Sequence, residues 1–187
     1  MTLDLEALAA QVMAAPPRAE KTRVVAIDGP AGSGKTTLAA QLAAQLDGAT
    51  VLNMDSLYPG WDGLAQGAER LVSDLLAPLA AGQPAVINSW DWIEGRPGPA
   101  VTLAATELLI VDGYGSGTRA AAPMLSLLIW MDGDPAERRR RAIARDGEMF
   151  APQWERWAAQ EQQLFAREQT SSRADLIIID GDQQQST

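Results

Sequence analysis

The sequence predicts an α/β domain, a three-layer sandwich with a parallel five-stranded sheet at its centre. Three features lead there. Five short, almost uninterrupted apolar runs recur along the 187 residues, and such runs mark strands buried on both faces, as in parallel sheets. Stretches with helical spacing separate them, the alternation expected of β-α-β units. A glycine-rich segment also joins the first run to the first long helical stretch.

Taken in order, Leu3 to Ala14 carries Leu5, Leu8 and Val12 at helical spacing and stops at Pro16-Pro17. Arg23 to Asp28 reads R-V-V-A-I-D, the first strand. Thr36 to Leu46 predicts a helix that Asp47-Gly48 ends, and Thr50 to Met54 a second strand. Leu64 to Ala81 reads as a helix weakened by Gly67 and Pro78, and Ala85 to Asn88 as a short strand. Leu108 to Asp112 and Leu127 to Met131 are buried strands. Asp134-Pro135 opens a helix carrying Glu137 to Arg145, and Trp154 to Arg167 forms another. Leu176 to Asp180 is the last strand. The chain thus reads as a single domain over 1–187. A helix and linker fill 1–20, a lid-like helix 134–150, and a polar tail at 182–187 is expected to fray.

Composition removes several chemistries. There is no cysteine and no histidine, so disulfides, thiolate metal sites, thiol nucleophiles and histidine bases are excluded. Acid–base work falls to carboxylates, lysine or tyrosine. With 24 acidic and 15 basic residues the net charge is −9, the wrong sign for a long nucleic-acid footprint. No apolar run approaches a membrane span. Asp4 and Glu6 stand where a signal peptide would be cationic. The expected location is cytoplasmic, and the oligomeric state is not encoded in any feature of the sequence.

Gly29-Pro30-Ala31-Gly32-Ser33-Gly34-Lys35-Thr36 fits G-x-x-x-x-G-K-[ST] between a strand and a helix. This is the phosphate loop (Walker A) of P-loop NTPases. Backbone N–H groups of Gly29, Ala31, Gly32, Ser33, Gly34, Lys35, Thr36 and Thr37, with a helix N-terminus behind them, form an anion cradle. Lys35 reaches the β- and γ-phosphates of ATP, and the Thr36 hydroxyl ligates Mg²⁺.

Ligands of doubly wound sheets bind beyond the carboxyl ends of the strands, where Asp28, Asp55 and Asp112 lie. Asp28 steadies the turn of the loop or serves the ligand directly. Asp112 ends L-L-I-V, the Walker B arrangement, and holds Mg²⁺ or caps the strand. Asp55 accepts the proton of an attacking hydroxyl or starts a turn. Arg138, Arg141 and Arg145 share one helix face and either close over phosphates or form a salt-bridged surface. Of the six tryptophans, Trp130, Trp154 and Trp157 read as packing residues. Trp61, Trp90 and Trp92 lie in loop-like polar surroundings, where they could stack on a flat or sugar-like substrate.

Met54-Asp55-Ser56-Leu57-Tyr58 resembles the M-D-[DS]-F-Y segment of uridine kinases, relatives of the phosphoribulokinases and pantothenate kinases. Trp61-Asp62, Ser89-Trp90-Asp91-Trp92, Leu109-Ile110-Val111-Asp112-Gly113 and Arg141-Ala142-Ile143-Ala144-Arg145-Asp146 resemble further family segments in the same order. The resemblance covers roughly 24–145. It implies that Asp62 holds ribose hydroxyls, that Trp90 lines a nucleobase pocket beside Asp91 and Tyr58, and that Arg141 and Arg145 belong to a lid. The chain departs from the family at Leu57, in a shortened stretch between Tyr58 and Trp61, and after Trp92, where Ile93-Glu94-Gly95-Arg96 brings no histidine.

The expected function is ATP-dependent phosphoryl transfer to a hydroxyl of a small molecule. A nucleoside is the first candidate acceptor, then a sugar or a pantothenate-like alcohol. Asp55, Lys35, Arg141 and Arg145 are the expected catalytic residues, and Arg138 an added nucleotide contact. The alternatives are an ATP-binding regulator without transfer activity and an NTPase that needs no acceptor.

Overall fold

In the computed structural model the described residues are 3–180; the expected fraying of 182–187 falls outside them. The chain runs α1 (Leu5–Ala14), β1 (Arg23–Asp28), α2 (Lys35–Gln45) and β2 (Thr50–Asn53). A helical segment follows, α3 (Leu64–Arg70), a wide π-helical turn (Leu71–Leu76) and α4 (Ala77–Ala80). Then come β3 (Ala85–Asp91), β4 (Arg96–Leu103), β5 (Leu108–Asp112), β6 (Leu127–Gly133), α5 (Pro135–Phe150), α6 (Trp154–Glu168), α7 (Thr170–Arg173) and β7 (Leu176–Asp180).

Five of the six expected strands form one sheet in the order β2-β5-β1-β6-β7. Every pairing in it is parallel. Alternate residues face opposite sides of a strand, and the core divides accordingly. Val24, Ala26, Leu109, Val111 and Leu128 pack toward Leu71, Leu75, Leu76 and Leu164. Val25, Ile27, Ile110 and Ile129 pack toward Leu8 and Val12 of α1 and Leu38 and Leu42 of α2. The sheet is therefore the middle of three layers.

Two strand ends differ from expectation. The chain turns at once after Asn53 into a short 3₁₀ turn (Met54–Ser56), because the Asn53 side chain accepts the Asp55 N–H at 2.7 Å. The strand expected at Ala85 to Asn88 continues to Asp91 and pairs with β4, which the sequence reading missed, in an antiparallel hairpin apart from the main sheet. Trp90 and Asp91 are accordingly strand residues. Arg70 fastens this hairpin, donating to the Leu57 carbonyl at 2.8 Å and to the Asn88 carbonyl. α5 opens as read, with Asp134 accepting the N–H groups of Ala136 and Glu137, and it kinks at Gly147, where φ is 60°.

Candidate functional site

The phosphate loop leaves the carboxyl end of β1, the central strand. Asp28 is fully buried and accepts three backbone N–H groups, from Gly29 at 2.7 Å, Gly115 at 3.1 Å and Gly117 at 2.9 Å. It therefore ties the start of the loop to the segment after β5. Burial pushes its carboxyl up to about 6, against those hydrogen bonds and Lys35, which pull it down. Gly32 and Gly34 take positive φ values of 72° and 94°. A Cβ at Gly32 would lie 2.0 Å from the Arg138 carbonyl oxygen, so the loop passes directly against α5.

Lys35 opens α2 and is buried. Its Nζ donates to the Pro30 carbonyl at 2.9 Å and sits 4.1 Å from the centre of the Tyr114 ring. Burial lowers its pKa, while Glu161, Asp112, Asp28 and Asp55 raise it. Thr36 and Thr37 are exposed beside it. A cavity of about 170 Å³ opens over Gly32, Gly34, Lys35 and the two threonines.

Asp112 closes this cavity from the end of β5. One carboxylate oxygen accepts the Asn53 amide N–H at 3.0 Å; the other, Oδ1, is buried and makes no hydrogen bond among the described residues. Thr36 faces the same carboxylate. A hydroxyl and an unpartnered carboxylate oxygen in one anion cradle suit Mg²⁺, a hard cation that takes oxygen ligands and keeps much of its shell as water and phosphate. Among the described residues no cluster of three acidic side chains forms a separate metal cage. The donor set therefore fits an ion that arrives with phosphate.

A second cavity, of about 310 Å³, adjoins the first, and Asp55, Tyr114 and Arg145 line both. Asp55 is exposed to this cleft, yet shielding from bulk water raises its pKa; Arg145 and Lys35 oppose the rise and Asp112 adds to it. The rest of the wall is aromatic. Trp61 stacks on Phe150 at 5.7 Å and 14°, meets Trp92 at 4.8 Å and takes Trp157 edge-on at 6.1 Å. The Trp92 indole N–H donates to the Asp55 carbonyl at 2.8 Å, joining the hairpin to the cleft. The guanidinium of Arg145 lies against Asp146 through two hydrogen bonds of 2.8 and 2.7 Å.

Several residues read from the sequence lie elsewhere. Tyr58 is fully buried, its hydroxyl donating to the Tyr114 carbonyl at 2.9 Å, so it supports the wall from behind. Asp62 forms an exposed ion pair with Arg156. Trp90 lies over Gly60, and Asp91 accepts the N–H groups of Ile93 and Glu94, turning its own hairpin. Neither Trp90 nor Asp91 is among the residues lining the cleft, and Arg141, half-buried on α5, is not either. Arg138 is engaged with the Ala31 carbonyl at 3.2 Å, the Gly133 carbonyl at 3.1 Å and Asp132 at 3.2 Å. Trp130 packs edge-on against Phe165, and Trp154 against Phe150. Trp157, read as a packing residue, does pack and also lines the cleft.

The sequence reading missed Asn53, Tyr114, Phe150 and Glu161. Glu161 is buried on α6 and accepts the Ala31 N–H of the phosphate loop at 3.0 Å. Desolvation raises its pKa to about 7 against Lys35, Ala31, Arg138 and Trp157. A lone glutamate among glutamines gives no motif; only its burial singles it out.

No protein-family model matches the chain. A tRNA dimethylallyltransferase from Pseudarthrobacter chlorophenolicus is 37% identical to it over 124 residues, 63% of this chain and 40% of that protein. The chain thus spans well under half the length of the curated relative it matches. Among solved structures, a possible uridine kinase from Bacillus stearothermophilus superposes with a TM-score of 0.68 at 20% identity, covering 93% of this chain and 96% of that one. A candidate fructose transport system kinase from Silicibacter sp. TM1040 superposes at 0.59 and 22%, covering 94% and 98%. At these identities the likeness is one of fold, a three-layer α/β sandwich around a parallel five-stranded sheet. Among the described residues no helix is long and apolar enough to cross a membrane.

Proposed function

We propose that the chain transfers the γ-phosphoryl group of ATP to a hydroxyl of a small molecule that carries no phosphate of its own. The observation that carries this reading is the wall shared by the two cavities. Asp55 and Arg145 stand between a phosphate cradle and an aromatic cleft, as a base and a charge-stabilising group for in-line transfer must.

In this reading the N–H groups of Gly32, Gly34, Lys35, Thr36 and Thr37, with the Lys35 ammonium, hold the triphosphate; those of Gly29 and Ala31, which the sequence also offered, are engaged by Asp28 and Glu161. Thr36 and Oδ1 of Asp112 would hold Mg²⁺, which when bound neutralises charge on the phosphates. The acceptor rests against Trp61, Trp92, Phe150 and Trp157, with its hydroxyl toward Asp55. The hydroxyl oxygen bonds to the γ-phosphorus as the bond to the β,γ-bridging oxygen breaks. ADP leaves, Asp55 takes the hydroxyl proton, and Arg145 offsets charge on the transferred group. Arg145 is the only cation facing the cleft among its lining residues, and it is shared with Asp146, which favours an acceptor without a phosphate of its own. A nucleoside remains the first candidate, followed by a sugar or a pantothenate-like alcohol.

Transfer of a dimethylallyl group to tRNA, the reaction named for the curated relative, suits the chain less well. A net charge of −9 repels a polyanion, and a cleft of about 310 Å³ matches a small molecule. Acceptor-stimulated ADP release across nucleosides, sugars and vitamin alcohols tests the proposal. Hydrolysis that ignores every acceptor would favour a bare NTPase, and nucleotide binding without turnover a regulator.

A further inference from the structure

One peptide of the phosphate loop is gripped from two sides. The Ala31 N–H donates to Glu161 of α6 at 3.0 Å, and the Ala31 carbonyl accepts from Arg138 of α5 at 3.2 Å. Ala31 follows a proline, which has no N–H to offer, so this bond anchors the first turn of the loop from outside. Both gripping residues are withdrawn from solvent, Glu161 at 5% exposure and the Arg138 side chain at 14%. Neither points into the phosphate cavity; neither is among its lining residues.

The two helices have a second duty. α5 carries Arg145, Asp146 and Phe150 into the aromatic cleft, and α6 carries Trp157. Trp157 lies one helical turn before Glu161 and shares its face. The buried Trp157 indole packs edge-on against Tyr58 at 5.1 Å and against Tyr114 at 5.4 Å, the latter a ring that lines both cavities. The same glutamate thus holds the phosphate loop and stands one helical turn from a residue that walls the acceptor cleft, on the same face of α6.

We infer that Glu161 is a positioning residue. Together with Arg138 it clasps the Ala31 peptide and latches the two helices that wall the aromatic cleft onto the phosphate loop, so that occupancy of the loop is felt at Trp157. The inference rests on the reading of the loop as a nucleotide site. A buried carboxylate and a guanidinium on one peptide are worth more than neutral hydrogen bonds, and a buried N–H left without its partner is costly. The clasp therefore moves as a unit or not at all.

The test uses the non-hydrolysable analogue AMP-PNP with Mg²⁺, calorimetry for affinity and tryptophan fluorescence for the cleft. In the unaltered protein the analogue should bind and change the fluorescence, and Trp157→Phe should remove most of that change. Glu161→Leu should weaken binding about tenfold, the cost of leaving the Ala31 N–H without its partner, and abolish the Trp157 response. Glu161→Gln keeps an oxygen for the Ala31 N–H and should retain both. Arg138→Met cuts the other arm, should also abolish the response, and serves if Glu161→Leu does not fold. A purely structural role would lower the melting temperature of Glu161→Leu and leave the folded fraction with full affinity and full response; that result overturns the clasp. Failure of the unaltered protein to bind the analogue would instead overturn the nucleotide reading, a separable outcome.

Discussion

The Lys35 ammonium lies 4.1 Å from the centre of the Tyr114 ring, and that ring belongs to both cavities. A buried cation over an aromatic face is held where phosphate would meet it, and a desolvated pair of this kind is worth about 2 kcal/mol. Burial pushes the Tyr114 phenol well above its ordinary range, so the ring stays neutral. Tyr114→Phe should bind a MgATP analogue within about threefold of the unaltered protein, since the ring face remains. Tyr114→Leu should bind it roughly ten- to thirtyfold more weakly. Calorimetry on the two variants separates the ring from the hydroxyl.

Asp55 should carry proton removal. Asp55→Asn should lower turnover by about 10²–10⁴, the usual share of a general base, and leave analogue affinity within about threefold. The sign of the pH dependence follows from its raised pKa. The base works only when ionised, so the rate falls as pH drops through a value above the 3.8 of an ordinary aspartate. A kcat/KM profile should show that acid limb displaced upward.

Two buried carboxyls set a pH dependence of stability. Asp28 is raised to about 6 and Glu161 to about 7, from 3.8 and 4.5. A raised carboxyl means that the folded state binds more protons than the unfolded one between the two values. Its contribution is full below the unfolded pKa and is lost as pH rises through the folded one. Each shift corresponds to something on the order of 3 kcal/mol. The ligand-free protein should therefore melt higher at pH 5 than at pH 8, and Glu161→Gln should flatten that slope. Scanning fluorimetry over this range checks both, and a slope unchanged in Glu161→Gln would contradict the assignment.

Gly67 stands inside α3, where alanine is ordinarily better by about 1 kcal/mol. Here packing wins. A Cβ at that position would lie 2.3 Å from the Tyr58 ring, which is fully buried, pinned by its hydroxyl and wedged 5.1 Å from Trp157. Gly67→Ala should destabilise the protein by about 1–3 kcal/mol. A rise in melting temperature would show that the ring has room to move.

The sheet was legible because each central strand is apolar on both faces; Val24 to Ile27 or Leu109 to Val111 fit little else. β4 was not legible. Its residues are mostly exposed and include Pro97 and Pro99, so neither apolar alternation nor β-propensity marks it. Of the site, the phosphate loop and the acids at strand ends are visible because the motif and the strand fix them together. Asp62 and Asp91 were assigned by resemblance, and Trp90 by resemblance and by its polar surroundings, yet here an ion pair and a hairpin engage them. Trp61 and Trp92, read from their polar surroundings, do line the cleft, and Phe150 and Trp157 join them from elements distant in sequence. Their juxtaposition depends on how α5 kinks at Gly147 and how α6 packs on α3, which no local pattern encodes.

The central claim is that the shared wall joins a donor site to an acceptor site. It is tested most directly by ADP release from MgATP, with and without candidate hydroxyl acceptors, in the unaltered protein and in Asp55→Asn. At least one phosphate-free alcohol should stimulate release in the unaltered protein and be itself phosphorylated. Asp55→Asn should show no such stimulation while still binding the analogue. Stimulation that survives Asp55→Asn, or release that no acceptor changes, would contradict the claim.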